Sequence, residues 1–147
     1  PGLNETLNEF VLEKKKPILG ICVGMQLFAK TGYESQETKG FGWIDAEVRK
    51  INNMNKKLKL PHMGWNQLIS KREEDEIFNG IDQYFVHSYS AKDVDQSVIM
   101  HSSRYGNETI VASIQTKKTC GFQFHPERSG ENGLSLLQTT IQQLLNK

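Results

Sequence analysis

The sequence predicts one α/β domain over residues 1–147, long enough to bury a hydrophobic core of its own. Three observations predict this class. Near the start, an amphipathic helical segment, a short apolar strand and a second helical segment follow one another, which is typical of a parallel sheet covered on both faces. Short apolar or alternating runs come next, separated by turn residues. Leucines at helical spacing close the chain.

The first helical segment has an apolar face and a defined end. Its face carries Leu3, Leu7, Phe10 and Val11. Asn4 is the expected N-cap, and Pro17, which follows three lysines, forbids continuation of the helix.

Residues 17–26 are the stretch around which the chain is organised. Residues 18–21 suit a short buried strand, and Gly20-Ile21-Cys22-Val23-Gly24 then has the form Gly-x-nucleophile-x-Gly. Such a pattern predicts a sharp strand-to-helix turn that exposes its central residue, and residues 25–29 read as the helix. Cys22 would lie at the helix N-terminus, where the dipole favours a thiolate. The alternative is an inert core cysteine, which is the commoner role of a cysteine in an apolar strand.

The middle and end of the chain predict further strands and a closing helix. Residues 44–48 alternate in polarity, and residues 58–60 are expected to pair with them in a hairpin or small antiparallel layer. Further strands are predicted at residues 84–86, 97–100, 110–114 and 120–124. The face of the closing helix is predicted to consist of Leu134, Leu137, Ile141, Leu144 and Leu145.

Residues 61–66, Pro-His-Met-Gly-Trp-Asn, combine a turn-former, an imidazole, an indole and an amide. This mixture suits a loop at a site or an interface better than a core, although a decorated loop with a half-buried Trp65 is an equal alternative.

The composition excludes several classes of partner. Lys and Arg number 18 against 17 Asp and Glu, so nothing in the charge calls for a nucleic acid or an anionic membrane. No apolar run approaches the roughly 20 residues of a membrane span. Two cysteines make no disulfide framework, which indicates a cytoplasmic setting. The chain begins at Pro1 without a methionine, so we expect it to be part of a longer protein.

A candidate catalytic group ends the last predicted strand, at His125-Pro126-Glu127. A neutral imidazole can take the proton of a thiol and return it to a leaving group, and a carboxylate can orient that imidazole. A histidine at a strand end is more often structural. Together with Gly-x-Cys-x-Gly in one short chain, however, it favours a Cys22–His125–Glu127 triad. His101 is expected to have no catalytic role, and Cys120 is expected to be a core thiol.

The two motifs Gly20-Ile21-Cys22-Val23-Gly24-Met25-Gln26 and Gly121-Phe122-Gln123-Phe124-His125-Pro126-Glu127 resemble those of the class I (triad) glutamine amidotransferases. Residues 61–66 and 84–89 resemble, within that family, the glutaminase subunits of imidazole glycerol phosphate synthase. The resemblance runs over essentially the whole chain and implies a three-layer flavodoxin-like fold, mostly a parallel sheet with an antiparallel extension. It also implies that a strand and a glycine-rich oxyanion segment should precede residue 1.

The resemblance further implies residue roles and a partner. The Val23 backbone N–H would stabilise an oxyanion, and L-glutamine would be held by Gln26, Glu34, Ser88 and Tyr89. The ammonia would pass to a (β/α)8-barrel cyclase subunit, with the interface at His62, Met63, Trp65, Asn66 and Arg128. No metal and no organic cofactor is implied.

Three other functions stay open from the sequence. A paralogous subunit could supply ammonia to a sugar-modifying synthase. A cysteine peptidase or other thiol hydrolase of the same fold would ignore glutamine, and Gln26 argues against it. A non-catalytic binding module would lack a triad residue, whereas all three are present.

Overall fold

The computed structural model describes residues 2–53 and 57–146. The strands are β1 Ile18–Ile21, β2 Thr31–Gly32, β3 Thr38–Lys39, β4 Glu47–Lys50, β5 His62–Gln67, β6 Ile69–Ser70, β7 Asp82–His87, β8 Tyr89–Lys92, β9 Ile99–Tyr105, β10 Glu108–Gln115 and β11 Thr119–Phe122. The helices are α1 Leu3–Asn8, which continues as a π-helical turn over Glu9–Glu13, α2 Val23–Gln26 and α3 Gly130–Leu145. Short 3-10 helices cover Glu73–Phe78, Gln96–Val98 and Pro126–Arg128.

The predicted α/β class is confirmed, with mixed sheets. One sheet has the strand order β1-β11-β10-β9-β6, a second the order β3-β2-β4-β8, and β5 pairs with β7. Among the described strands, β1–β11 and β2–β4 are parallel pairs, and the other six pairings are antiparallel. Parallel pairing is thus less frequent here than expected. The link from β9 to β10 is too short for a crossover helix, so chain reversal there gives antiparallel neighbours.

Two apolar clusters form the core. The larger contains Phe85, Phe122, Phe124 and Leu136, which are all fully buried, and it lies between α3 and β11. The Phe122 and Phe124 rings stack with centroids 4.9 Å apart. The second cluster packs Met25 of α2 against residues of β4, β8 and β10. Strand β11 therefore has apolar cover at the end where the candidate catalytic residues follow.

The first helix differs from its prediction in its cap and its burial. Gly2 is the N-cap and Asn4 lies within the helix. Of the predicted apolar face, Val11 is buried, whereas Leu3 and Phe10 are 73% and 48% exposed. Helical spacing located the helix, but it does not determine how much of its apolar face other elements cover.

The predicted hairpin of residues 44–48 with residues 58–60 is wrong. Residues 58–60 form no strand, and β4 instead pairs antiparallel with β8 and parallel with β2. Between the two segments, residues 54–56 lie outside the described residues. A distant strand supplies a longer ladder for β4 than the three residues 58–60 could.

Residues 61–66 are not a loop, because His62–Gln67 forms β5. Trp65 lies opposite Tyr84 of β7, and His62 opposite His87. His62 is buried, while Met63, Trp65 and Gln67 are exposed, so this strand has the alternation of a half-buried one.

Helix α3 buries a face that agrees only in part with the predicted one, since Leu144 is buried and Leu137 packs against the core as expected. Its buried residues are Gly133, Leu136, Thr140 and Leu144, whereas Leu134, Ile141 and Leu145 are exposed. A Cβ on Gly133 would lie 2.2 Å from the Pro126 carbonyl oxygen, so the helix approaches the preceding turn on its small-residue side. None of the helices over residues 2–53 and 57–146 is long and apolar enough to cross a membrane.

Candidate active site

Cys22 occupies the strained turn that the glycine pattern predicts. Strand β1 ends at Ile21, α2 begins at Val23, and Cys22 between them has φ +52° and ψ −109°. A non-glycine residue at positive φ is uncommon and is retained where the surrounding structure enforces it, often at an active site. Helix α2 covers only Val23–Gln26, so it begins two residues before the predicted helix and ends earlier.

Gly20 is the glycine that makes this turn possible. A Cβ at Gly20 would lie 2.6 Å from the carbonyl carbon and oxygen of Gly24, so the strand and helix backbones are in contact there. A Cβ at Gly24 would meet no atom within 4 Å. Close approach of two backbone segments therefore explains why residue 20 is glycine, but it does not explain why residue 24 is.

The parallel pairing of β1 with β11 brings the two motifs to the same end of the sheet. Ile21 lies opposite Phe122, and the Cys22 N–H donates to the Phe122 carbonyl at 2.7 Å. His125 follows Phe122 by three residues, and its N–H donates to the Tyr84 carbonyl at 2.8 Å. The carboxyl ends of parallel strands are where open α/β sheets hold their reactive groups.

His125 and Glu127 form an oriented pair. The Nδ1 of His125 is 2.6 Å from Oε1 of Glu127, and Pro126 begins the short 3-10 helix that joins them. The Ser129 hydroxyl donates to the His125 carbonyl at 2.7 Å and so fixes this turn. Because the carboxylate accepts the Nδ1 hydrogen, Nε2 is left as the nitrogen that can exchange a proton.

The surroundings of the Cys22 thiol keep it protonated. Burial, the largest cause, raises its pKa above the ordinary value, and the negative charge of Glu127 also raises it. The Val23 N–H and a hydrogen bond from Gln123 lower that pKa without reversing the direction. The expected thiolate at a helix N-terminus is therefore not the resting form. A base is needed to remove the proton, and the four-residue α2 is too short to do so through its dipole.

A cavity of about 190 Å³ is lined by Val23, the residue that follows Cys22, while Cys22 itself is not part of its lining. Three of the predicted glutamine and oxyanion residues, Val23, Gln26 and Glu34, line it together with Tyr33 and Lys39. The structure thus brings these sequence-predicted residues together around one cavity.

Ser88 and Tyr89 do not line this cavity, although Tyr89 is hydrogen-bonded to two residues that do. The Tyr89 hydroxyl donates to the Glu34 carbonyl at 3.0 Å, and the Tyr89 carbonyl accepts a hydrogen bond from Gln26 Nε2 at 3.0 Å. The Ser88 carbonyl accepts from the Ile51 N–H at 2.9 Å, which anchors the turn between β7 and β8. Both residues are thus held by hydrogen bonds, and Tyr89 is joined directly to Gln26 and Glu34.

Sequence reasoning missed Gln123, which joins Cys22 to Gln26 of the cavity. Its Oε1 accepts from Gln26 Nε2 at 3.0 Å, and its own Nε2 lies 3.8 Å from the Cys22 sulfur. The available signal was its position two residues before His125 at the end of β11. Over residues 2–53 and 57–146, no group of His, Cys, Asp and Glu could hold a metal ion.

The residues predicted to contact a partner divide into two sets. Trp65, 55% exposed, packs edge-on against Tyr84 with centroids 5.8 Å apart. The Arg128 guanidinium lies 4.4 Å above the same Tyr84 ring. Met63 is also exposed. Tyr84 and Arg128 lie at the turn of the His125–Glu127 pair, and Trp65 and Met63 continue the exposed surface along β5. We call Met63, Trp65, Tyr84 and Arg128 the aromatic patch.

His62 cannot contact a partner directly, and that prediction is wrong. Its side chain is 0% exposed and stacks on Tyr105 and Phe85, at centroid distances of 4.0 and 4.9 Å. The alternation of β5 turns His62 inward where it turns Met63 outward. Asn66 is half-buried and donates to the Arg104 carbonyl at 2.8 Å.

Comparison with known proteins agrees with this geometry. The family model for class-I glutamine amidotransferases matches residues 2–143. The chain is 51% identical to the imidazole glycerol phosphate synthase subunit HisH of Pelagibacter ubique, over 95% of this chain and 68% of that protein. It is 46% identical to the HisH 1 subunit of Campylobacter jejuni, over 93% of this chain and 68% of that protein.

A crystal structure of a glutamine amidotransferase superposes with a TM-score of 0.64 at 19% identity, covering 92% of this chain and 66% of that one. The chain thus spans about two thirds of the length of these proteins. The chain belongs to the class-I glutamine amidotransferase family, within the group of HisH subunits of imidazole glycerol phosphate synthase.

Proposed function

We propose that this protein is the glutaminase subunit of a cytoplasmic imidazole glycerol phosphate synthase of histidine biosynthesis. It hydrolyses L-glutamine to glutamate and ammonia, and the ammonia passes to a (β/α)8-barrel cyclase subunit. One observation carries the catalytic assignment. Cys22 lies on a strained turn at the end of β1, beside the parallel strand that leads to the His125–Glu127 pair.

The first half of the reaction is acylation of Cys22. His125 Nε2 takes the thiol proton, and the sulfur attacks the side-chain amide carbon of glutamine. The carbonyl oxygen gains a negative charge, which the Val23 N–H stabilises; this N–H already faces the Cys22 sulfur and lowers its pKa. His125 then protonates the amide nitrogen, the carbon–nitrogen bond breaks, and ammonia leaves behind a thioester.

The second half is hydrolysis of that thioester. His125, neutral again, removes a proton from water, and the resulting hydroxide attacks the thioester carbon. The carbon–sulfur bond breaks, His125 returns its proton to the sulfur so that the thiol is restored, and glutamate departs. Glu127 orients His125 in both halves and stabilises its charged form.

The cavity residues suit an amino acid as substrate. Glu34 supplies a carboxylate for the α-ammonium group, and the backbone at Ser88 and Tyr89 is assigned to the α-carboxylate. Gln26 and Gln123 connect the cavity to the thiol by hydrogen bonds. A hydrogen-bonding cavity of this kind supports glutamine over an apolar acyl substrate.

The aromatic patch supports a heterodimer with the barrel subunit. Aromatic and arginine side chains are the usual anchors of protein interfaces, and Trp65 and Arg128 meet on Tyr84 beside the catalytic turn. Cys22 and Cys120 are both thiols, which suits a reducing cytoplasm.

The test is glutamine hydrolysis by the protein with a barrel subunit of the same enzyme and the ligand of that subunit. We expect Cys22→Ser to abolish hydrolysis and leave the fold unchanged. A glutamine-analogue electrophile should label Cys22, while Cys120, 0% exposed, serves as the internal control. Labelling mainly at Cys120, or release of ammonia by Cys22→Ser at the wild-type rate, would overturn the assignment.

A further inference from the structure

Two buried histidines, His62 and His87, lie opposite each other on β5 and β7 and have no role in the chemistry described so far. Their side chains are 0% and 6% exposed, and Nδ1 of His62 is 2.9 Å from Nε2 of His87. Buried ring nitrogens are costly unless they are hydrogen-bonded. The outer nitrogen of each ring therefore identifies what the pair is connected to.

On one side the pair leads to the nucleophile. His87 Nδ1 is 2.8 Å from the Tyr89 carbonyl, which also accepts from Gln26 Nε2. Gln26 in turn bonds Gln123, whose amide nitrogen faces the Cys22 sulfur. Since a carbonyl can only accept, His87 Nδ1 must carry a hydrogen. The imidazole pair thus shares an acceptor with the side chain that lines the candidate glutamine cavity.

On the other side the pair leads to the surface. His62 Nε2 is 2.8 Å from Asn66 Oδ1, and Asn66 Nδ2 donates to the Arg104 carbonyl at 2.8 Å. Gly64 lies between the two residues in β5 and has φ +138°, a backbone conformation that favours glycine. Asn66 also lines a surface groove of about 370 Å³ with Trp65 of the aromatic patch and Arg104.

The number of hydrogens that the two rings carry determines which way the Asn66 amide must face for every ring nitrogen to be hydrogen-bonded. With an acceptor at each outer nitrogen, the three contacts of the pair need three hydrogens, whereas two neutral imidazoles carry two. Burial lowers the pKa of both rings, that of His87 to about 4, so the neutral pair is favoured at neutral pH. A neutral pair is fully bonded only when Asn66 turns its Nδ2 toward His62 and gives up the Arg104 carbonyl. The amide can satisfy one of these neighbours at a time.

We propose that His62 and His87 are positioning residues for the glutaminase site, forming a relay from the Asn66 amide to the Tyr89 carbonyl and Gln26. The inference rests on the proposed function. The relay sets the place of Gln26, and through Gln123 that of the Cys22 thiol. A group of a docked partner that bonds the Asn66 amide in the groove would act on the site without touching Cys22.

The kinetic test compares three variants in the complex with the barrel subunit. His87→Leu removes both contacts, and we expect kcat for glutamine to fall by at least ~10-fold, since small misplacements are costly. His87→Asn keeps a donor in the place of Nδ1 and should recover most of that loss. His101→Leu is the matched control, because His101 is 0% exposed and bonds Ser113 Oγ at 2.7 Å. If His87→Asn is no better than His87→Leu, or if His101→Leu lowers kcat equally at equal folded fraction, the relay is wrong.

A second readout needs no activity and no partner. We expect His62→Leu to shift the side-chain amide resonances of Gln26 and Gln123 in a ¹H–¹⁵N spectrum, and His101→Leu to leave them in place. Unmoved Gln26 signals in His62→Leu would overturn the relay even with glutaminase activity intact. A wild-type complex without glutaminase activity would instead refute the proposed function, while the spectrum still tests the relay.

Discussion

The Nδ1 atom of His125 lies 2.6 Å from Oε1 of Glu127, across the short 3-10 helix that Pro126 begins. The proline ring restricts its own backbone, and the Ser129 hydroxyl holds the His125 carbonyl. The imidazole is therefore oriented by its own turn rather than by a distant element. Because the carboxylate accepts a hydrogen bond from Nδ1–H, it favours the tautomer in which Nε2 is unprotonated and can take part in proton transfer.

This pair predicts unequal effects of two substitutions. His125→Ala should lower kcat for glutamine by ~10²–10⁴-fold or more, because it removes the group that moves protons in both halves of the reaction. Glu127→Gln should leave a measurable remnant, since it impairs the orientation and charge stabilisation of the imidazole and leaves the imidazole itself. Steady-state ammonia release in the complex measures both. Near-normal turnover in His125→Ala would rule out the triad.

Gly20 and Gly24 predict unequal effects of the same substitution on the stability of the fold. Gly20→Ala should lower the free energy of unfolding by ~1–3 kcal/mol, because the added Cβ would overlap the backbone of Gly24. Gly24→Ala should change it by less than ~1 kcal/mol, since a Cβ there meets nothing within 4 Å. Urea denaturation of both variants measures the difference. Equal destabilisation would mean that close backbone approach is not what Gly20 provides.

The strand-to-helix turn at Cys22 was predictable from the sequence because the residues that determine it are close together in the chain. Pro17, Gly20 and the apolar residues between them specify a short strand and a tight turn within a few positions. The His125–Glu127 contact was predictable for the same reason, since two positions and a proline separate the residues. The Cys22 turn and the His125–Glu127 pair lie close together because β1 pairs with β11. The α-β-α order at the start of the chain favours a parallel sheet and so favours such a pairing.

Strand β5 and the buried face of α3 could not be predicted, because distant contacts decide them. His62 in a polar stretch reads as exposed until β7 supplies His87 as its cross-strand partner. Leucine spacing on α3 favours the face of Leu134, but Gly133 allows the helix to approach the Pro126 carbonyl and buries Leu136 instead. The hydrophobic pattern of a sequence shows which residues can be buried, but the close packing of the elements determines which of them are buried.

The buried imidazoles predict how stability depends on pH. The folded-state pKa of His87 is about 4 because of burial, below its ordinary value of 6.5. Between these values the unfolded chain binds the proton and the folded chain does not, so stability is present above pH 6.5 and is lost as pH falls towards 4. His87 alone contributes at most ~1.4 kcal/mol per pH unit, and the pKa values of His62 and His101 are lowered by the same cause.

Urea denaturation at pH 7.5 and pH 5.5 tests this, with His87→Asn as the control. The wild type should lose stability over this interval, and His87→Asn should lose less. A wild type that is equally stable at both values would contradict the lowered pKa of His87, because the folded and unfolded chains would then bind protons equally.

The aromatic patch predicts that partner coupling can be weakened without loss of stability. Trp65 and Arg128 both contact Tyr84 and are exposed, so truncating either removes little of the core. Trp65→Ala and Arg128→Ala should each raise the concentration of barrel subunit needed for half-maximal glutaminase activity by ~10-fold, about 1.4 kcal/mol. Their unfolding free energies should change by less than ~1 kcal/mol. Ile77→Ala, at a residue 75% exposed on another element, is the matched control and should leave the titration unchanged.

Arg128→Glu should weaken coupling further than Arg128→Ala. It replaces the cation over Tyr84 with a carboxylate next to Glu127, and a barrel surface that accepts an arginine would repel it. We expect the protein alone to have very little glutaminase activity, because hydrolysis without the cyclase would release ammonia that is not used. The measurement is ammonia release titrated with the barrel subunit and its ligand. Arg128 borders the turn of the His125–Glu127 pair, so Arg128→Glu could act either on docking or on Glu127, and the activity at saturating barrel subunit separates the two. A maximum restored to the wild-type value means that Arg128 acts in docking. A lowered maximum at unchanged half-saturation means that it acts on Glu127 and contradicts the docking role.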